Sequence, residues 1–443
     1  MFSGLIPSVL SRLISSILIG DVTVTTGNVR IWAETAGSST GGGAGGDVEV
    51  SIGDKLTVQA GTLQVFGGIG SEFGGDGKGG DMTVTAGSMD IAGVATLRGG
   101  ANTNDGPAGY MTMTLTDSNE KSWFHNDLVF TGTNGRSLGT GGNATLNAGS
   151  VDVRVDGNLQ IASGDGNNTN AAGTGGNAEF RANTLELGGA NNTVRSGTAY
   201  AAAPGNITVA VTTLKSVSTT AAMQVTKNNG PVSFTADTIN ATEGNLTLGF
   251  VNTNVTTGDT VAIGNLAVGN GQTLAVTSPA NTMTLNGGLQ VTAYDAANPD
   301  LLATSTYTGS GPAATDFSGK PLGFAFPLNI ANNSTVLTTP DPLTIDNTTQ
   351  VSLSMTGSGP LQLSDGDEII LASNIGASTY SPRLVMVNGN QFEVLSDGGQ
   401  LIAIFRGPFV GPTKSIPVNP AWMLLLLGMT IIGCVSKRFK HHR

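Results

Sequence analysis

The chain has 443 residues, of which 65 are glycine, and only 12% are charged, with a formal net charge of −11. Residues 414–443 hold five Lys or Arg and no acid, so −11 − 5 leaves −16 on residues 1–413, which argues against nucleic acid as a partner. The length admits two or three ordinary domains or one elongated array, and Thr, Val, Asn and Gly together favour strands and turns over helices.

Residues 2–18 space Phe2, Leu5, Ile6, Val9, Leu10, Leu13, Ile14, Ile17 and Leu18 at helical intervals, with Ser and Arg12 between them. This predicts an amphipathic helix with Pro7 in its first turn. Arg12 interrupts the apolar run that a signal peptide needs, so residues 1–20 are expected to cap the β edge that follows, with a degenerate or truncated signal as the alternative.

A six-residue pattern then recurs seven times: any residue, Gly, usually Asp or Asn, apolar, Thr or Glu, apolar. Its glycines are Gly20, Gly46, Gly80, Gly109, Gly142, Gly176 and Gly205, at intervals of 26, 34, 29, 33, 34 and 29 residues. The triplets after them, from Val22-Thr23-Val24 and Val48-Glu49-Val50 to Ile207-Thr208-Val209, alternate as a half-buried strand requires. Their middle residues Thr23, Glu49, Thr83, Thr112, Thr145, Glu179 and Thr208 are expected to form one exterior stripe. Within one interval "DVEV", "KLTVQA" and "TLQVF" make three strands before a glycine-rich loop, so each unit is a coil. Stacked coils pair their strands in parallel and share a core that no single coil can bury. Residues 21–300 therefore predict a parallel β-helix, right-handed as parallel crossovers are, of about ten coils at ~4.8 Å each.

The loops imitate ligand sites without completing them. Gly75, Gly77 and Gly80 fit G-x-G-x-x-G, yet a strand follows where a dinucleotide site needs a helix. Glu72 and Gly79 break the P-loop pattern. Residues 42–50, "GGAGGDVEV", follow the calcium nonapeptide until Glu49, without a tandem copy. Calcium stays an alternative there to the favoured reading, in which glycines supply positive φ at coil corners. Gly135-Arg136-Ser137-Leu138-Gly139 matches the nucleophile elbow, but a strand follows, and the histidines are His125, His441 and His442 only. No triad, zinc site or cofactor is expected, and Asp365, Asp367 and Glu368 read as a turn around Gly366. Glu49 and Glu179, taken as three coils and ~14 Å apart, are too distant to cooperate. The chain is thus read as a non-enzyme, with a polysaccharide-binding or polysaccharide-degrading β-helix as the alternative.

Residues 301–405 form a C-terminal β region in which Asn388-Gly389 and Asp397-Gly398-Gly399 predict an antiparallel meander. A proline-rich linker covers 406–420, an apolar segment 421–436, and a basic tail 437–443. The segment Ala421 to Val435, followed by Lys437, Arg438, Lys440 and Arg443, predicts one transmembrane helix with its end in the cytoplasm. At about 15 residues it is shorter than the ~20 of a comfortable span. The single cysteine, Cys434, precludes an intrachain disulfide.

Ile416, Pro417 and Trp422 match, in identity and spacing, the I-P-T-L-S-x-W-G start of a class of C-terminal sorting domains, while Val418, Asn419 and Met423 depart from it. The tail resembles those domains, which exosortases handle in Gram-negative bacteria. The body is similar in pattern to the β-helices of haemagglutinins and autotransporter passengers, although no translocating barrel follows it. The chain is thus expected to be all-β, with a capping helix, a β-helix, an antiparallel region and one membrane helix, and the resemblances imply a cell-envelope protein. They imply that an exosortase-type protease cuts near the motif, leaving the rod outside the inner membrane, at the surface or secreted. Extracellular polysaccharide or a neighbouring cell surface would be its contact.

Overall fold

The computed structural model describes residues 10–11, 16–18, 20–35, 43–70, 77–102, 106–135, 139–166, 173–199, 202–251, 258–277 and 283–409. These form an all-β parallel solenoid in which each coil lays strands on three faces. In one coil Val48–Val58 runs along the first face, bends at an irregularity between Ile52 and Lys55, and continues on the second, and Leu63–Phe66 forms the third. Val48, Val50, Ile52, Leu56, Val58, Leu63 and Val65 are buried while Glu49 is exposed, so period two sorts each strand into a core side and a solvent side.

The second face shows the stacking best. Its exterior residues form one unbroken parallel ladder: Thr23, Thr57, Asp90, Trp123, Arg154, Glu186, Lys215, Asn240, Ala267, Gln290, Gly323 and Ser352. Ten of these twelve residues precede residue 300, and the helix continues past it. On the third face the parallel pairing runs on to Glu368–Ala372. That last strand pairs antiparallel with Gln400–Pro408, which pairs with Asn390–Asp397, which pairs with Arg383–Val387. Asn388 (φ 48°) and Gly389 (φ 77°) make the turn between the last two.

On the first face Glu49, Thr83, Thr112, Thr145, Glu179 and Thr208 form one exterior ladder, extended by Ser233 and Thr260. Thr23 does not belong to it. Val22–Val24 pairs with Leu56–Val58 on the second face, because Ser16–Leu18 already occupies the first-face position beside Val50–Ile52. Gly20, with φ 97°, turns the corner between them.

The same pairing corrects the N-terminal expectation. Leu10–Ser11 and Ser16–Leu18 are strands, parallel to Ile31–Trp32 and Val50–Ile52, and not part of a helix over 2–18. An open coil edge presents unpaired N–H and C=O groups, and an Ile/Leu/Ser segment can satisfy them. The remainder of residues 1–19 lies outside the described residues.

The register glycines serve a purpose other than the one expected. Of the seven, Gly20 alone has a positive φ. At the neck of each loop the chain leaving the third face meets the chain entering the first, in a continuous backbone spine. Gly68 N–H donates to Gly46 O (2.9 Å), Gly80 to Gly68 (2.8 Å), Gly100 to Gly80 (2.9 Å) and Gly109 to Gly100 (2.9 Å). A Cβ on Gly80 would overlap the carbonyl oxygen of Gly46, and one on Gly109 that of Gly80, so close approach selects glycine here. The Asp or Asn after the glycine ties one coil to the next. Asp47 Oδ1 accepts from Asp81 N–H (2.7 Å), Asp81 Oδ1 from Tyr110 N–H (2.9 Å), and Asn143 Oδ1 from Asn177 N–H (2.8 Å).

Candidate functional site

The loop motifs resolve first. Asp47, the carboxylate of the calcium-like stretch, caps the next coil. Lys78, in the G-x-G-x-x-G stretch, donates to Asp81 Oδ2 at 2.6 Å and lies 5.5 Å from the Tyr110 ring centroid. That hydrogen bond raises the Lys78 pKa. Ser137 of the elbow-like stretch lies outside the described residues. Asp367 Oδ2 accepts from Ser364 N–H at 2.7 Å around Gly366 (φ 93°), a closed turn. Among the described residues no group of three His, Cys, Asp or Glu is placed to hold a metal ion, and no helix is long and apolar enough to cross a membrane. Ile416, Pro417, Trp422, Lys437, Arg438, Lys440 and Arg443, with the whole segment 410–443, lie outside the described residues.

On the first face, Glu49 and Glu179 are four ladder steps apart, Thr83, Thr112 and Thr145 standing between them. That is about 19 Å at ~4.8 Å per step, farther than the ~14 Å expected. Glu179 Oε1 also accepts from Arg181 Nε at 2.5 Å.

Polar chemistry instead converges on the second face, along Asp90, Trp123, Arg154, Glu186 and Lys215. Period two turns these five outward from Ile91, Phe124, Val155, Leu187 and Ser216, all buried. Asp156 holds two of the planar groups in place: its Oδ2 accepts from Trp123 Nε1 (2.7 Å) and its Oδ1 from Arg154 Nε (2.7 Å). The Arg154 guanidinium lies 4.6 Å from the Trp123 ring centroid, within cation–π range. His125 stacks on the same indole at 4.1 Å with 23° between planes, and its Nε2 lies 2.9 Å from Asp90 Oδ1. Lys55 Nζ reaches Glu120 Oε2 (3.2 Å) and Asp90 Oδ2 (3.8 Å).

Glu186 is the most buried acid of the group, its side chain 9% exposed. Lys121 Nζ donates to its Oε1 at 2.8 Å, while Oε2 accepts no hydrogen bond and has Arg154 Nη1 at 3.8 Å. Lys215, the next exterior residue, pairs with Glu243 at 2.7 Å. Such an assembly can hold polar ligands by fixed donors and acceptors.

None of these residues follows the glycine mark, which is why the repeat pattern did not single them out. Their spacing held the signal. Asp90, Trp123, Arg154, Glu186 and Lys215 stand 33, 31, 32 and 29 residues apart, the coil period read on its second strand. No family model, curated protein or solved structure matches the chain.

Proposed function

We propose that this protein is an exported structural or adhesin-like rod of the bacterial cell envelope, anchored or processed through residues 410–443. The observation that supports it is the unbroken second-face ladder of twelve exterior residues, which makes a rod of roughly 50–60 Å at ~4.8 Å per coil. Such a stack offers length and lateral surface. Thr and Ser line much of its first face. The tail adds the sorting resemblance of Ile416, Pro417 and Trp422, with Lys437, Arg438, Lys440 and Arg443 on the side expected to stay inside.

Protease treatment of spheroplasts, with the outer membrane opened and the inner membrane intact, tests this reading in cells that express the full chain. Degradation of the rod before lysis is the expected result, and protection until lysis would overturn it. A second reading, polysaccharide binding or degradation on an exterior face, is favoured by one observation: the convergence of Trp123, His125, Arg154, Lys121, Asp156 and Glu186 on neighbouring coils.

A further inference from the structure

We infer that the second-face column from Asp90 to Lys215 is a binding site for a neutral, hydroxyl-rich glycan lying along the rod axis. The inference rests on the reading of the chain as a rod exposed to polysaccharide.

Ion pairs are concentrated on this column. Five of the eleven Lys or Arg ion pairs among the described residues fall within Lys55, Asp90, Glu120, Lys121, Arg154, Asp156 and Glu186, with the His125–Asp90 contact beside them. Stacking does not require them, since the equivalent columns of the other two faces are built largely of Thr, Ser and Gln.

The side chains of the column are also preorganised. Arg154 and the Trp123 indole are both fixed by Asp156, and His125 by Asp90 and the indole, so ordering these side chains costs little when a ligand arrives. Donors remain in surplus. Arg154 has five N–H groups and spends Nε–H on Asp156, and Lys121 has three and spends one on Glu186. Both side chains are more than a quarter exposed, at 30% and 39%. Glu186 Oε2 accepts no hydrogen bond in this network and has Arg154 Nη1 at 3.8 Å, so the guanidinium is held by charge on that side as well.

Charge and spacing select the ligand class. Lys55, Lys121, Arg154 and Lys215 oppose Asp90, Glu120, Asp156, Glu186 and Glu243, four cations against five carboxylates, in a body that is itself acidic. A polyanion is therefore repelled, whereas sugar hydroxyls can give and accept hydrogen bonds along the column. Consecutive coils advance ~4.8 Å, close to the length of one hexose in an extended chain, so each sugar meets one exterior side chain.

Affinity electrophoresis of the purified full chain tests this in gels containing dextran, laminarin, hydroxyethyl cellulose, polygalacturonate or alginate. Retardation by at least one of the three neutral glycans is expected, with tenfold or greater weakening in Arg154→Gln. Lys121→Gln, at the exposed rim, should weaken binding several-fold with an unchanged circular dichroism spectrum, which separates loss of contact from loss of fold. Failure of every neutral glycan to retard the protein overturns the inference. So does undiminished retardation of both variants, or retardation by the acidic glycans alone. Because only purified protein is used, such a failure leaves the export reading to its own test on cells.

Discussion

Lys121 Nζ donates to Glu186 Oε1 at 2.8 Å although a whole coil, that of Arg154, lies between their strands. The lysine thus clamps three coils. Lys121→Ala leaves the buried carboxylate with Arg154 at 3.8 Å as its ion-pair partner. Because Lys121 is itself 39% exposed, a loss of about 1 kcal/mol is expected, read as a lower urea midpoint, with partial recovery in Lys121→Arg.

A second pair is far more deeply placed. Lys227 and Asp259 are 3% and 7% exposed in their side chains and form an ion pair, and Asp259 Oδ1 also accepts from Val232 N–H at 2.9 Å. Lys227→Met removes the buried cation that Asp259 pairs with and should cost about 3–5 kcal/mol, whereas Lys227→Met with Asp259→Leu should recover much of the loss. Urea unfolding of the two variants beside the parent protein measures the difference.

The glycine spine makes a sharper distinction between similar substitutions. Gly176→Ala drives a methyl group into the carbonyl of Gly142, backbone against backbone, and should destabilise by about 1–3 kcal/mol or more. Gly249 has nothing within 4 Å of its would-be Cβ and no positive φ, so Gly249→Ala should be neutral or slightly stabilising. Thermal melts of the two variants compare the effects directly.

Asp346 gives the fold a defined acid response. The Thr348 hydroxyl (2.6 Å), with the N–H groups of Thr348 (2.9 Å), Thr349 (3.0 Å) and Gly319 (3.2 Å), holds its pKa down at about 2. An unfolded aspartate titrates near ~3.9, so the contribution is complete above that pH and is lost as pH falls towards 2. The stability gap between the parent protein and Asp346→Asn should therefore be widest above pH ~4 and shrink towards pH 2, as urea midpoints across that range will show.

How far the fold was legible depends on which strand of the coil is followed. From Glu49 to Thr208 the first-face residues carry both a fixed glycine and a period of two, and their ladder is the one the repeat predicts. Gly20 misled because a bend at a different corner can also be glycine, and only pairing distinguishes the two. The second-face column stayed hidden because no fixed residue precedes it. The irregularity at Ile52 to Lys55 in one coil, and the insertion between Leu115 and Ser122 in another, blur its spacing from the mark. Leu10–Ser11 and Ser16–Leu18 sit in an apolar pattern of helical spacing, yet both are strands, because a waiting strand edge outweighed that spacing. The role of the register glycines in close approach was not legible, since it depends on two segments far apart in the chain meeting at one neck.

The account as a whole turns on export, and the tail gives its most direct measurement. Pro417 and Trp422 match the sorting motif, and the apolar segment that follows is short for a permanent span. Intact-mass analysis of the protein from a host with the matching exosortase should find a mature chain lacking Ala421 to Arg443, and from a host without the enzyme the full chain held in the membrane. An uncut tail in the matching host would contradict the account and leave a β-solenoid with no route to the surface through this signal.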